Sequence, residues 1–186
     1  MVAAMLRTLV SELHEAWENP TELLGQLNHM LCGSFKNSIT PIFASAFYLV
    51  VDLGRGELHY ANAGHPRPLR MRHSSQSANL HELNGIKPGP ALGLFEKAHY
   101  ESCRCELRPQ DVILLFTDGL FEVEGSRGQY YDYHDLLKAV GRLSSLPTRD
   151  LCKGLIREVQ QFSRSKEFTD DVCLVVLEVN GVRGQS

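Results

Sequence analysis

The sequence lacks the features of a membrane-spanning or exported chain. No apolar run approaches the ~20 residues that a membrane helix needs, and the first residues do not combine a charged segment with a small-residue cleavage site. The five cysteines are an odd number and include no C-x-x-C pair, which disfavours a zinc site or a disulfide framework. We therefore expect reduced, buried cysteines and a cytoplasmic location.

The sequence also lacks an excess of basic charge. A formal net charge of -3 gives no broad positive field to attract nucleic acid, so we expect no nucleic-acid partner. The hydrophobic content of 43% and the charged content of 22% exclude disordered and collagen-like classes. A chain of 186 residues can bury a core of its own, and we expect residues 1–186 to form a single domain.

Hydrophobic spacing predicts the order of helices and strands. Helical periodicity covers residues 1–17, and a second helix is predicted from Asn19 as N-cap to Gly33 as its end. Thr148 is predicted to cap a later helix. Strands are predicted at residues 42–51, 57–63, 68–72, 80–83, 98–107, 112–116 and 172–179, and later helices at 133–143 and 148–163. Hairpins without β-α-β alternation indicate an α+β fold with largely antiparallel sheets covered by helices.

Acidic residues lie at the ends of two predicted strands. Asp118 and Gly119 follow the apolar run 112–116, and Asp170 with Asp171 precede the last strand. If the two strands are antiparallel neighbours, these carboxylates meet at one end of a sheet, where a hard cation such as Mg²⁺ or Mn²⁺ would neutralise their repulsion. From spacing alone, an ordinary turn at Asp118 and an ordinary strand entry at Asp170 account for the same residues.

Several segments together resemble a known family. Phe116 to Glu122 (F-T-D-G-L-F-E) and Thr169 to Leu174 (T-D-D-V-C-L) are similar to the C-terminal motif pair of bacterial metal-dependent protein phosphatases, the PPM or type-2C superfamily. The resemblance is to the branch of stage II sporulation protein E and the sigma-factor regulators. Further similar segments, in matching order and spacing, are Leu27-Asn28 with Leu31, Val50 to Leu58, Ala61 to Pro66, and Leu92 to Leu94.

The resemblance implies a fold and a reaction. It implies two largely antiparallel β-sheets packed together and flanked by helices, with two divalent metals, Mg²⁺ or Mn²⁺, that activate water for hydrolysis of phosphoserine or phosphothreonine. Asp118 and Asp170 match carboxylates that bind one metal, and Asp171 is a second choice as ligand. It also implies a regulatory phosphoprotein substrate, such as an anti-sigma-factor antagonist, and an upstream sensor or receiver domain in the parent protein.

The sequence departs from the family at its start. Members carry G-D-x-x-D-like and D-x-S-G-H-G-like motifs before the first helix, and residues 1–186 contain neither. We therefore expect an N-terminally truncated phosphatase domain whose metal site is at most partial. The alternative is a catalytically inactive, phosphatase-like binding module in a partner-switching pathway.

Basic residues near the segment 61–66 admit two interpretations each. His65 either faces the phosphate or, as we prefer, holds its loop through backbone hydrogen bonds. Arg67, Arg70 and Arg72 either form a phosphoprotein docking surface or, as we prefer, are solvated charges at a strand edge.

Overall fold

The computed structural model describes residues 2–36, 42–73, 78–126, 128–163, 168 and 170–181. They form two compact units. The first falls within Met1–His65 and Asn84–Arg108, and the second within Pro66–Leu83 and Pro109–Gly181. The expectation of a single domain over residues 1–186 stays a prediction.

Helices and strands follow in the order that the sequence predicts. The helices are α1 (Val2–Glu12), α2 (Pro20–Ser34), α3 (Tyr133–Leu143) and α4 (Thr148–Phe162), with short 3-10 helices at His14–Ala16 and Asp118–Leu120. The strands are β1 (Ala46–Asp52), β2 (Glu57–Ala63), β3 (Leu69–His73), β4 (Ala78–Glu82), β5 (Ser102–Glu106), β6 (Asp111–Phe116), β7 (Val123–Glu124), β8 (Tyr130–Tyr131) and β9 (Leu174–Glu178). The predicted α+β fold with antiparallel sheets and flanking helices is confirmed.

The first unit contains an antiparallel sheet in the order β1-β2-β5. The β1–β2 hairpin is tight because the Asp52 side chain accepts hydrogen bonds from the backbone N–H groups of Gly54 and Arg55, each at 2.9 Å. Helix α2 packs on this sheet, and its N-cap is Asn19, whose side chain accepts from the Glu22 N–H at 3.4 Å. Its buried leucines pack against β2, and each contributes about 1.5–3 kcal/mol. They are Leu23, Leu24, Leu27 and Leu31.

The second unit contains an antiparallel sheet in the order β4-β3-β6-β9. Strand β6 lies in its interior and is almost fully buried, as its run of apolar residues predicts. Helices α3 and α4 share a core with this sheet. The core residues from the two helices are Leu136, Ala139, Val140, Leu151, Leu155 and Val159, and those from β3 and β6 are Leu69, Met71, Val112, Leu114 and Phe116.

The ends of several elements differ from prediction. Helix α1 ends at Glu12 because the chain turns at Leu13, and Trp17 is 46% exposed, with its indole N–H on the Val10 carbonyl at 2.8 Å. Gly33 lies inside α2, which ends one residue later at Ser34. The strands predicted from residues 42 and 98 begin only at 46 and 102, and the last strand is 174–178.

Two further expectations are corrected, and one additional strand pair is present. Thr148 is not the N-cap of α4: Pro147 occupies that position, and the Thr148 hydroxyl donates to Glu178. The short β7–β8 pair carries too few residues for a periodic signal and was not predicted. The cysteines are free, but Cys173 is exposed and the other four are only half-buried. Residues 74–77, between the predicted strands 68–72 and 80–83, and Thr169 lie outside the described residues.

Among the described residues, no helix combines the length and the apolar composition that a membrane span requires.

Candidate functional site

The two predicted metal ligands lie at the same end of the four-stranded sheet. Strands β6 and β9 pair antiparallel from Val112↔Glu178 to Phe116↔Leu174. Asp118 follows the last residue of β6, while Asp170 and Asp171 precede the first residue of β9. This end of the sheet, defined by Asp118 and Asp170, is called the aspartate end below.

Thr117 ties the two acidic segments together. Its backbone N–H donates to the Cys173 carbonyl at 3.1 Å, and its hydroxyl donates to the Asp171 carbonyl at 3.0 Å. The same hydroxyl accepts from the Cys173 N–H at 2.9 Å. Because these bonds bridge segments more than fifty residues apart, Thr117 fixes the backbone around Asp118 relative to that around Asp171.

Gly119 allows the two segments to approach closely. A Cβ atom at this position would lie 2.7 Å from the Asp171 carbonyl oxygen and 3.4 Å from the Asp170 carbonyl carbon, so a side chain would force the backbones apart. The Asp118 carboxylate accepts from the Gly119 N–H at 3.1 Å, and the Asp170 carboxylate from the Asp171 N–H at 2.7 Å. Each of these bonds uses only one carboxylate oxygen, and both side chains are exposed.

The chemistry of the aspartate end suits a hard divalent cation. In the described part of the chain, Asp118, Asp170 and Asp171 form no salt bridge with a basic side chain. Carboxylate oxygens are the donors that Mg²⁺ and Mn²⁺ prefer. No group of three or more His, Cys, Asp or Glu among the described residues is arranged to hold a metal ion. The ligand type at the aspartate end therefore suits such an ion, but these residues supply only some of the ligands that it needs. Ligation by Asp118 and Asp170 stays a prediction.

The arginines of β3 are neither a docking surface nor solvated edge charges. Strand β3 lies between β4 and β6, in the interior of the sheet. Arg70 and Arg72 both pair with Asp111, whose side chain is 0% exposed, and the Arg72 Nε lies 2.9 Å from its Oδ1. The Arg70 side chain is only 12% exposed. Both interpretations are therefore wrong for Arg70 and Arg72, because β3 is an interior strand and its register with β6 places Asp111 beside them.

Arg67 has different surroundings. It precedes β3, and its Nη1 donates to the Glu82 carboxylate at 3.4 Å. Glu82 also accepts from the Tyr133 hydroxyl at 2.7 Å. Burial, and then the bond to Glu82, raise the pKa of Tyr133, which keeps its hydroxyl protonated as a donor. Sequence reasoning placed Arg67 with Arg70 and Arg72, but only the tertiary structure separates them.

The loop at His65 is held by a residue that sequence reasoning did not single out. Asn62, 3% exposed, accepts from the His65 N–H at 2.8 Å and donates to the His65 carbonyl at 2.9 Å. His65 thus takes part in backbone hydrogen bonds, as we preferred, although the Asn62 side chain provides them. Asparagine before a glycine turn is the signal that could have identified it. The His65 ring also contacts Phe47, with 6.4 Å between centroids.

A second buried asparagine holds the loop after residue 92 in the same manner. Asn28, 1% exposed, accepts from the Gly93 N–H at 2.9 Å and donates to the Phe95 carbonyl at 3.0 Å. Both asparagines lie in segments that carry the family resemblance. Their role is therefore to shape loops, since each satisfies two backbone groups that no regular element pairs.

Curated proteins of similar sequence are named as phosphatases. The chain is 26% identical over 162 residues to the phosphoserine phosphatase RsbP of Bacillus subtilis (strain 168), covering 87% of this chain and 37% of that protein. It is 24% identical over 177 residues to the phosphoserine phosphatase RsbU of the same organism, covering 94% and 49%. The chain thus spans less than half the length of either relative.

Solved structures support the fold. The SiaA-PP2C domain of Pseudomonas aeruginosa matches with a TM-score of 0.76 and 18% identity, over 93% of this chain and 67% of that one. At this identity the likeness shows the fold alone, and it agrees with the predicted PPM-like architecture. The family model described as stage II sporulation protein E (SpoIIE) matches residues 1–180. The resemblance read from the motifs is thereby confirmed, and the chain belongs to the stage II sporulation protein E family.

Proposed function

We propose that this chain supplies part of the active site of a Mg²⁺- or Mn²⁺-dependent protein phosphatase that hydrolyses phosphoserine or phosphothreonine. The observation that carries the proposal is the aspartate end, where Thr117 and Gly119 hold together the segments of Asp118 and Asp170, which adjoin the neighbouring strands β6 and β9. Membership of the family and the names of two relatives, both phosphoserine phosphatases, support the same reaction.

Each residue of the aspartate end has a proposed part. Asp118 and Asp170 would hold the cation, and Asp171 is the second choice as ligand. A bound divalent cation would activate water and neutralise charge on the phosphoryl group. Thr117 and Gly119 hold the backbone that carries the two carboxylates in place. The free-energy cost of bringing the like charges together therefore arises during folding and does not reduce the affinity for the metal.

The substrate and the setting are carried over from the resemblance. We propose a regulatory phosphoprotein, such as an anti-sigma-factor antagonist, as substrate, and an upstream sensor or receiver domain in the parent protein. We place the reaction in the cytoplasm, and the net charge of -3 favours no nucleic-acid partner.

A second candidate is an inactive, phosphatase-like binding module. One observation favours it: the described residues contain no group of three ligands that could hold a metal by themselves. A cation held by two carboxylates and water binds weakly, so this chain could retain a docking role without turnover.

Hydrolysis of p-nitrophenyl phosphate with and without Mn²⁺ separates the two candidates. The proposed phosphatase predicts Mn²⁺-dependent turnover by the chain, lost in Asp118→Asn. Asp150→Asn is the matched control, since Asp150 is an exposed aspartate at the start of α4, and it should keep full activity. No turnover in wild type, with a phosphoprotein still bound, would favour the binding module. Equal turnover in wild type and Asp118→Asn would contradict the proposed site.

A further inference from the structure

Arg67 is a cationic side chain whose hydrogen bonding is incomplete. Its Nη1 bonds Glu82 at 3.4 Å, while its Nε is buried and has no partner among the described residues. Arg67 makes no other hydrogen bond within the described part of the chain. A guanidinium carries five N–H donors in a planar fork. The buried Nε cannot reach a ligand, but the Nη donors that do not bond Glu82 have no partner among the described residues, and the side chain is 38% exposed.

The register of β3 places Arg67 at the aspartate end of the sheet. Leu69 pairs with Leu114, two residues before the end of β6, and Pro68 extends the β3–β4 ladder by accepting from the Leu83 N–H at 2.8 Å. Arg67 therefore leaves the sheet at the level at which β6 ends. Adjacent strands lie about 4.8 Å apart. Arg67, Asp118 and Asp170 thus lie just outside three neighbouring strands, β3, β6 and β9, at one end of the sheet.

The guanidinium of Arg67 bonds an acceptor, Glu82, that is itself held in place. Glu82 has one oxygen on Arg67 and the other on the Tyr133 hydroxyl, at 2.7 Å. The Tyr133 ring is itself held edge-on by Phe121, with 5.4 Å between centroids. Because the bond to Tyr133 restricts the side-chain conformations of Glu82, Glu82 in turn limits the positions of the Arg67 guanidinium. A pre-positioned arginine loses less conformational entropy when it binds an anion.

The charge of a phosphoryl group suits a cationic side chain at this place. The group carries about -1.5 to -2 charges near neutral pH, and Arg67 would add to the positive charge that a bound divalent cation supplies. Arginine binds phosphate oxygens through two parallel N–H bonds, which lysine cannot reproduce. We propose that Arg67 binds the phosphoryl group of the substrate, with Glu82 and Tyr133 as positioning residues. The inference rests on the proposed function, because it assigns a further residue to the same site.

Arg67→Met tests the inference because it removes the charge and keeps much of the side-chain length. The probes are p-nitrophenyl phosphate, for KM and kcat with Mn²⁺, and inorganic phosphate as a competitive inhibitor. Loss of hydrogen bonds to a charged group predicts a rise of about tenfold to a hundredfold in KM and in the phosphate inhibition constant. Mn²⁺ affinity, measured by calorimetry, should stay unchanged. The matched control is Arg104→Met, an arginine 61% exposed and loosely paired with Glu57 at 3.9 Å.

Two conservative variants keep the test decisive if Arg67→Met folds poorly. Arg67→Lys should show an intermediate rise in KM, and Tyr133→Phe, which frees Glu82, a smaller one. The inference would be overturned if the KM and the phosphate inhibition constant of Arg67→Met stay within about twofold of the wild-type values. If Arg67→Met does not fold, the same criterion applies to Arg67→Lys. If the wild-type chain neither binds Mn²⁺ nor hydrolyses p-nitrophenyl phosphate, the proposed function is overturned together with the inference. This result can be told apart from failure of the inference alone, because it is seen in the wild type without any variant.

Discussion

Asp111→Ala offers the sharpest test of how the second unit is held together. The Asp111 side chain is 0% exposed and neutralises Arg70, which is 12% exposed, and Arg72, which is 32% exposed. Removing one partner of a buried ion pair leaves uncompensated charge and costs about 3–5 kcal/mol. Because water can reach part of Arg72, we expect the lower half of that range, about 3–4 kcal/mol. This is a large share of the stability of a small domain, about 5–15 kcal/mol.

Urea unfolding followed by far-ultraviolet circular dichroism measures this loss. With a slope of about 2 kcal/mol per molar urea, the midpoint should fall by about 1.5–2 M. Glu57→Ala is the matched control, because its exposed pair with Arg104 is worth about 0–1 kcal/mol. Replacing Asp111, Arg70 and Arg72 together by Leu, Met and Met should recover much of the loss. A loss below about 1 kcal/mol in Asp111→Ala would refute the reasoning.

Three further predictions concern the loops and the core. Gly119→Ala, whose Cβ would lie 2.7 Å from the Asp171 carbonyl oxygen, should weaken Mn²⁺ binding about tenfold by calorimetry, and unchanged affinity would contradict the close approach. Asn62→Ala should lower the free energy of unfolding by about 1–3 kcal/mol, measured by thermal unfolding, because it removes the side chain that bonds the backbone N–H and carbonyl of His65. His65→Ala should cost less, and the opposite ranking would show that the His65 ring matters more. Burial raises the pKa of Tyr100 from 10.0 to about 12. The contribution of the neutral Tyr100 side chain to the free energy of unfolding is therefore complete below about pH 10 and is lost as the pH rises through about 12. Tyr100→Phe should flatten this alkaline loss, and identical profiles in both proteins would speak against it.

Local sequence signals predicted most of the fold. The β1–β2 hairpin follows from two apolar runs around Asp52 and Gly54, whose turn chemistry is local. Helix α3 begins and ends where its 3.6-residue period predicts, from Tyr133 to Leu143. The placement of Asp118 and Asp170 at one end of the sheet required one further assumption, that the two strands are antiparallel neighbours, and the register of β6 with β9 bears that out. The last strand was expected to be buried, but it lies at the edge of the sheet and is only partly buried.

Interactions between distant residues escaped prediction. Asp111 lies 41 residues from Arg70, and no local pattern indicates that an aspartate at the start of a strand will be buried beside two arginines. Tyr133 lies 51 residues from Glu82, so the support of Arg67 is equally invisible in the sequence. Side-chain pairing of this kind depends on strand register, which is set by the assembled sheet and not by propensity.

The sharing of a cation by Asp118 and Asp170 is tested most directly by calorimetric titration of Mn²⁺ into the chain and its single variants. We predict weak but measurable binding in wild type, and lower affinity in both Asp118→Asn and Asp170→Asn, with Asp150→Asn equal to wild type. Undiminished Mn²⁺ binding in either Asp118→Asn or Asp170→Asn would contradict a shared site at the aspartate end.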